Sequence, residues 1–297
     1  MLPVLIVCYL RPQKLRNILE GLVGSTRAIY VFIDKAPDSH RELNDEVRKI
    51  ANEYSAILNI KIESPLENLG VELGVPSGID WAIRFENEII IIEDDCLPTS
   101  YAYEYFDKVI CKLEGEVVIA CGTSPNTNLS NSSSHSLTLG SYPLIWGWCT
   151  TAENWKRLRV SIGGPPPHKR IFKFLIKYPS KLVSVCYFYS ASIRIHRNRM
   201  KAWDSLVALE MILSQFKAII PNQTLVSNSG FDHQAHHFFQ TPETSGEVVS
   251  QAVEGPASES FDFSFVSMTE TDKNIEKNIY KMKLRHSLSP IKALLWD

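Results

Sequence analysis

The chain has no run of about 18 apolar residues, so no bilayer-crossing helix is expected. It also lacks a dominant charge: 31 Lys and Arg stand against 33 Asp and Glu, a net charge of -2. Whole-chain charge therefore attracts neither nucleic acid nor anionic lipid. Cysteine is sparse and unpatterned. The six residues (Cys8, Cys96, Cys111, Cys121, Cys149, Cys186) form no C-x-x-C and no paired spacing, which excludes a zinc knuckle and a disulfide framework. Several lie in apolar runs, where a thiol packs as a small hydrophobe, and a reducing compartment is expected. The opening stretch "MLPVLIVCYLRPQ" lacks a basic n-region and a small-residue cleavage site, so no leader is expected. The sequons at Asn128, Asn131 and Asn222 then carry little weight.

Several catalytic signatures are missing too. There is no G-x-x-x-x-G-K-[ST] and no G-x-G-x-x-G after the first apolar run, nor an H-E-x-x-H or a G-x-S-x-G. Phosphate-loop and dinucleotide-binding readings lose their main support. No internal repeat occurs.

What is present suits a folded α/β protein: 297 residues, 44% of them hydrophobic, enough for one large domain or two small ones. Strand-like runs at residues 4–9, 29–34, 58–63, 89–94 and 117–121 alternate with helical periods at 13–23, 40–54, 72–85 and 100–113. Such alternation, with continuous apolar strands, predicts a mostly parallel sheet covered on both faces. Ser100 is the expected N-cap of the fourth helix. Residues 124–141, rich in Ser, Thr and Asn, read as a surface loop. "GGPPPHKR" breaks the chain before a basic aromatic segment, and "KAWDSLVALEMILSQF" reads as a helix. Short strands and a histidine-rich loop follow; then come an acidic tail and a basic helix over 273–296. The chain divides at 1–160, 161–245 and 246–297.

Ligands of open parallel sheets bind beyond the carboxyl ends of the strands, and the unusual residues sit there. Arg11 follows the first strand, Asp34 the second, Asn68 and Gly70 the third, and Glu93, Asp94 and Asp95 end "EIIIIEDD". Three adjacent carboxylates repel one another and have raised pKa values if unpaired. A hard divalent cation relieves that strain, since Mg²⁺ and Mn²⁺ favour carboxylate oxygens and accept substrate phosphates as further ligands. Strand alternation points Glu93 and Asp95 one way and Asp94 the other. The plain alternative is a solvated strand end before the Pro98 turn.

A strand ending in Glu-Asp-Asp, then a proline and a helix with Tyr and Phe, resembles the metal motif of GT-A glycosyltransferases. It is similar above all to the N-acetylglucosaminyltransferase I type and its bacterial surface-polysaccharide relatives. "CYLRPQKLRNILEGL", "ENLGVELGVPSGIDWAI", "WGWCTTAENW", "AWDS" and "LVSNSGFDHQAHH" extend the resemblance in order over residues 2–238. It implies a GT-A fold, Rossmann-like with a smaller C-terminal acceptor-side region. Residues 1–160 would bind the nucleotide sugar, and 161–245 would supply the acceptor side and the catalytic base.

The resemblance implies residue roles as well. Asp95 would ligate Mn²⁺ or Mg²⁺, Asp94 would stand by the ribose or metal, and Glu93 by the donor sugar. Arg11 would meet the nucleotide or its phosphates. Asp34 would hydrogen-bond the base, with a turn-forming aspartate as the alternative. Asn68 and Gly70 would form the donor-side loop, which lacks the arginine many relatives carry. Asp204 would be the base of an inverting transfer, taking the acceptor hydroxyl's proton; a helix N-cap is its structural alternative. His236 or His237 would add a metal contact, beside His233. Trp146 and Trp148 offer ring faces to a sugar, as would Trp203, with core packing as the alternative.

The expected activity is thus metal-dependent transfer of a hexosyl or N-acetylhexosaminyl group from a UDP-sugar to a glycan or lipid-linked glycan. Bacterial capsule, O-antigen or exopolysaccharide synthesis is the setting implied. A cytoplasmic location is expected, with the basic tail resting on the inner membrane face or packing on the domain. No nucleic acid partner is expected. A sugar nucleotidyltransferase and a non-catalytic carbohydrate-binding protein are the rival readings.

Overall fold

Val4–Cys8, Ile29–Ile33 and Val117–Cys121 are buried at every position, as strands covered on both faces must be. The computed structural model describes residues 1–124, 136–221, 223–228 and the strand Ser267–Thr269. Four parallel strands, β1 (Val4–Cys8), β2 (Ile29–Ile33), β3 (Ile60–Glu63) and β4 (Glu88–Glu93), alternate with α1 (Pro12–Glu20), α2 (Arg41–Tyr54) and α3 (Gly70–Ala82). A short β5 (Cys96–Pro98), α4 (Ser100–Val109), β6 (Val117–Cys121), β7 (Ser136–Gly140) and β8 (Trp148–Thr151) follow. Four helices come next: α5 (Ala152–Arg159), α6 (His168–Lys177), α7 (Leu182–His196) and α8 (Trp203–Ser214). The last strands are β9 (Lys217–Pro221), β10 (Val226–Asn228) and β11 (Ser267–Thr269).

Nine strands form one sheet in the order β11-β7-β9-β6-β8-β4-β1-β2-β3. The expected α/β class, with a mostly parallel sheet between helical layers, is what the chain adopts. Two departures have clear causes. β8 runs antiparallel between β4 and β6, an insertion that the short "WCTT" did not announce. Residues 136–140, read as loop, form β7 against β9. The tail helix expected over 273–296 lies outside the described residues.

Alternation along β4 separates two cores. Ile89 and Ile91 join α3, α5, α7 and α8 on one face, while Ile90 and Ile92 join α1, α2 and α4 on the other. Burying each isoleucine contributes about 1.5–3 kcal/mol, which fixes the register of β4 and hence where its acids emerge. At the far side of β8, Gly147 has φ +69° and a Cβ there would meet Val226 Cγ1 at 2.6 Å. Only glycine fits where β10 crosses this close to the chain entering β8.

The edge of the second layer is tied by Arg27 and Asp107. Arg27 Nη1 and Nη2 donate to the Asp107 carboxylate at 2.8 and 2.6 Å, and the Leu2 N–H adds a third bond at 2.7 Å. Partial burial pushes the Asp107 carboxyl up, but these bonds outweigh it and hold it below the usual carboxylate range. A depressed carboxylate adds stability above its unfolded pKa of about 4 and loses it as pH falls through the folded value. Asp107→Asn is therefore expected to cost about 2–3 kcal/mol at pH 7, because Arg27 stays buried with a weaker partner. The cost should shrink as acid neutralises the wild-type carboxylate. Urea melts of both proteins at neutral pH and near pH 3 check this.

Candidate active site

The acids of "EIIIIEDD" leave the sheet at the carboxyl ends of β1 and β4, where Val7 lies opposite Glu93. The Asp94 N–H donates to Val7 O at 3.0 Å, and the chain then turns over Asp94 and Asp95 into β5. That turn changes the expected geometry. Alternation stops at Glu93, so Asp94 and Asp95 do not diverge. Arg11 Nη1 donates to Asp94 Oδ1 at 2.7 Å and to Asp95 Oδ2 at 2.9 Å. Two carboxylates from successive residues thus converge on one cationic point. The Tyr9 N–H gives Asp94 a further bond at 3.1 Å.

Glu93 continues the Ile89–Ile91 face and turns toward α8. Burial pushes its carboxyl well up, and repulsion from Asp95, Asp94 and Asp204 pushes it further, against the opposing charge of Arg11. Asp94 is also raised, by burial, with Arg11 pulling the other way. While Arg11 is bonded to Asp94 and Asp95, Asp204 lies near enough to Glu93 to repel it. It stands in the first turn of α8, whose N-cap is Ala202, so it does not cap the helix. Among the described residues its Oδ1 accepts a long 3.5 Å bond from Ser205 Oγ. Burial, followed by the nearby Asp94 and Asp95 respectively, raises the Cys8 and Cys96 thiols well above their ordinary range. Neither is a thiolate nucleophile at neutral pH.

Asp34 is placed differently from either expectation. It is buried, and its carboxylate accepts the N–H groups of Lys35, Leu69 and Gly70 at 2.9, 3.0 and 2.8 Å. It therefore anchors the start of α3 to the end of β2, 35 residues earlier in the chain. Gly74 permits this: a Cβ there would sit 3.3 Å from Asp34 Oδ2. Asn68 Nδ2 donates to Lys35 O at 2.6 Å and to Tyr9 Oη at 3.1 Å, tying the loop before α3 to both strand ends. Gly70 has φ +66°, and a Cβ on it would lie 3.9 Å from Lys201 Nζ. Tyr9 and Lys201 belong to this region and were missed. Tyr9 stands in "CYLRPQ" two residues before Arg11, and Lys201 three residues before Asp204.

The tryptophans are corrected more firmly. Trp148 and Trp203 are 1% and 3% exposed and pack with Trp155 at ring separations of 6.1–6.5 Å. Rings this enclosed present no face to an acceptor. Trp146 is half-buried against the opposite core, so it and Trp148 do not converge. Thr99, not Ser100, precedes the first turn of α4, and its hydroxyl is buried with no hydrogen-bond partner among the described residues. His233, His236 and His237 lie outside the described residues.

The donor set fits a hard cation. Asp94 and Asp95 supply oxygen ligands aimed at one point, and Mg²⁺ and Mn²⁺ take remaining positions from water and phosphate. Among the described residues no group of three or more His, Cys, Asp or Glu is placed to hold a metal ion, so Asp94 and Asp95 would need water or substrate oxygens to complete a site.

No protein-family model matches the chain, and no curated protein sequence matches it. The solved structures that resemble its backbone include two glycosyltransferases. One is the mannosyltransferase PcManGT from Pyrobaculum calidifontis in complex with GDP-Man and Mn²⁺, at 12% identity and TM-score 0.46, covering 80% of this chain. The other is the WbbM bifunctional glycosyltransferase in its apo form, at 13% identity and TM-score 0.25, covering 40% of this chain. This chain spans 59% of the first protein's length and 22% of the second's. Similarity of this degree carries no weight on substrate or reaction.

Proposed function

We propose that the chain is a metal-dependent, inverting glycosyltransferase that moves a sugar from a UDP-sugar to a hydroxyl of a glycan or lipid-linked glycan. The observation that carries this reading is the convergence of Asp94 and Asp95 on Arg11 at the strand ends, with Glu93 beside them and Asp204 near Glu93. The sequence resemblance to GT-A enzymes gives that cluster its chemical meaning. Asp94 and Asp95 would hold Mn²⁺ or Mg²⁺. When bound, such an ion stabilises the negative charge that builds on a departing diphosphate.

The remaining roles follow from the side chains. Asp204, whose bond from Ser205 Oγ is a long one, would accept the proton of an acceptor hydroxyl. Glu93, whose carboxyl is pushed up by burial and by the neighbouring acids, would face the donor sugar. Arg11 changes partner from carboxylate to donor phosphate. Lys201, close to Gly70, supplies the positive charge that the donor-side loop itself lacks. The acceptor, the sugar transferred, bacterial surface-polysaccharide assembly and a cytoplasmic location belong to the same proposal.

Titration calorimetry with UDP tests it. Binding is expected with Mn²⁺ present and is expected to fall at least tenfold when EDTA removes the metal. Equal binding with and without metal would count against the site and favour a non-catalytic protein.

A further inference from the structure

Residues 160–203 carry nine Lys and Arg and no Asp or Glu, in a chain whose net charge is only -2. The same stretch concentrates exposed apolar surface. Of the twelve large apolar side chains exposed among the described residues, Phe172, Ile176, Leu182 and Val183 fall within twelve consecutive positions. Phe172 and Ile176 are 70% and 69% exposed.

Both features meet on α6. Ile171 is its buried contact, and Phe174 and Leu175 are partly buried against the same core. At about 100° per residue, the outward half of the helix carries Lys169, Phe172, Lys173, Ile176 and Lys177, all exposed. A helix that merely covers a core keeps its apolar residues inside. Here two large apolar side chains stand outermost, flanked by three ammonium groups on flexible apolar stems. Phe172 and Ile176 lie one turn apart, so they project together. Leu182 and Val183 open α7, joined to α6 through the single turn Pro179–Lys181.

We infer that this face docks on an anionic lipid bilayer. Phe172 and Ile176 enter the boundary between headgroups and acyl chains, and Lys169, Lys173 and Lys177 meet lipid phosphates. The combination selects the partner. A polyanion such as nucleic acid pairs with the lysines and leaves both apolar tips in water. A second copy of the same face sets lysine against lysine. Membrane crossing is not involved, because no described helix is long and apolar enough to span a bilayer. Attachment is peripheral and shares no residue with the candidate active site.

Flotation of the full-length protein with lipid vesicles tests this. The protein should float with vesicles of phosphatidylcholine and phosphatidylglycerol at roughly 70:30, not with phosphatidylcholine alone, and about 0.5 M salt should release it. Phe172→Ser with Ile176→Ser is expected to lower partitioning at least about tenfold. Lys173→Glu with Lys177→Glu should lower it about 25-fold or more, near fivefold per lysine removed. All four positions are exposed, so melting temperatures within about 2 °C of wild type certify intact folding. Residues 218–272 carry eight acids and no Lys or Arg; if they cover this face instead, the full chain will not float with anionic vesicles. That result overturns the inference, as does flotation that survives both double substitutions.

Discussion

Asp204→Asn should lower kcat for sugar transfer by about 10²–10⁴-fold and leave metal-dependent UDP binding within about twofold. Asparagine keeps the shape of the side chain and the contact to Ser205 Oγ but cannot take a proton. The helix beneath is held independently: Trp203, Ser205, Leu206 and Val207 are buried. Losing a carboxylate from the first turn of α8 costs about 0.3–1 kcal/mol of helix-dipole stabilisation, too little to unfold the domain. It also removes one of the charges repelling Glu93, so the site becomes less strained as it becomes inactive. The informative comparison is between turnover and donor affinity. A base variant loses the first and keeps the second, whereas a misfolded one loses both. Full turnover with intact UDP binding would remove Asp204 from the reaction.

How much of this was legible beforehand depended on whether the signal was local. The isoleucines of β4 and the acids after them read directly, because burial and charge are properties of the residues themselves. The position of Arg11 after β1 read equally well, since parallel strands put successive carboxyl ends together. The direction of Asp94 and Asp95 did not. Alternation holds only while the chain stays extended, and a turn begins one residue after Glu93. Asp34 was misleading for a related reason: its partners are backbone N–H groups at Leu69 and Gly70, and no local pattern forecasts a cap reaching across 35 residues. Tryptophan is amphipathic, so Trp148 and Trp203 read equally well as sugar platforms or core; the aromatic triad with Trp155 forms only once β8 slips in antiparallel beside β4. Lys201 and the outward face of α6 needed the helices placed before they had meaning. The charge asymmetry of residues 160–203 was nonetheless visible in the sequence.

Asp95→Ala should abolish the thermal shift that the donor nucleotide and metal produce together. At about a hundred times Kd a ligand adds about 2.7 kcal/mol, which for a chain of 297 residues raises Tm by about 4–5 °C. Wild type should show that rise with UDP and Mn²⁺, and Asp95→Ala none. Without ligand, the variant should melt close to wild type. It loses the Arg11 bond of 2.9 Å but keeps the 2.7 Å bond from Arg11 to the more buried Asp94. It also loses a negative charge that pushes on Glu93, and the two effects oppose each other. The same geometry separates metal from nucleotide. Arg11 Nη1 already lies between Asp94 and Asp95, so a cation arriving alone competes with a guanidinium. Phosphates that draw Arg11 toward themselves remove that competition. Mn²⁺ alone is therefore expected to shift Tm by about 2 °C or less in wild type, with the full shift appearing only when UDP is added. A full shift from Mn²⁺ alone, or an unchanged shift in Asp95→Ala, would move the metal away from these two carboxylates.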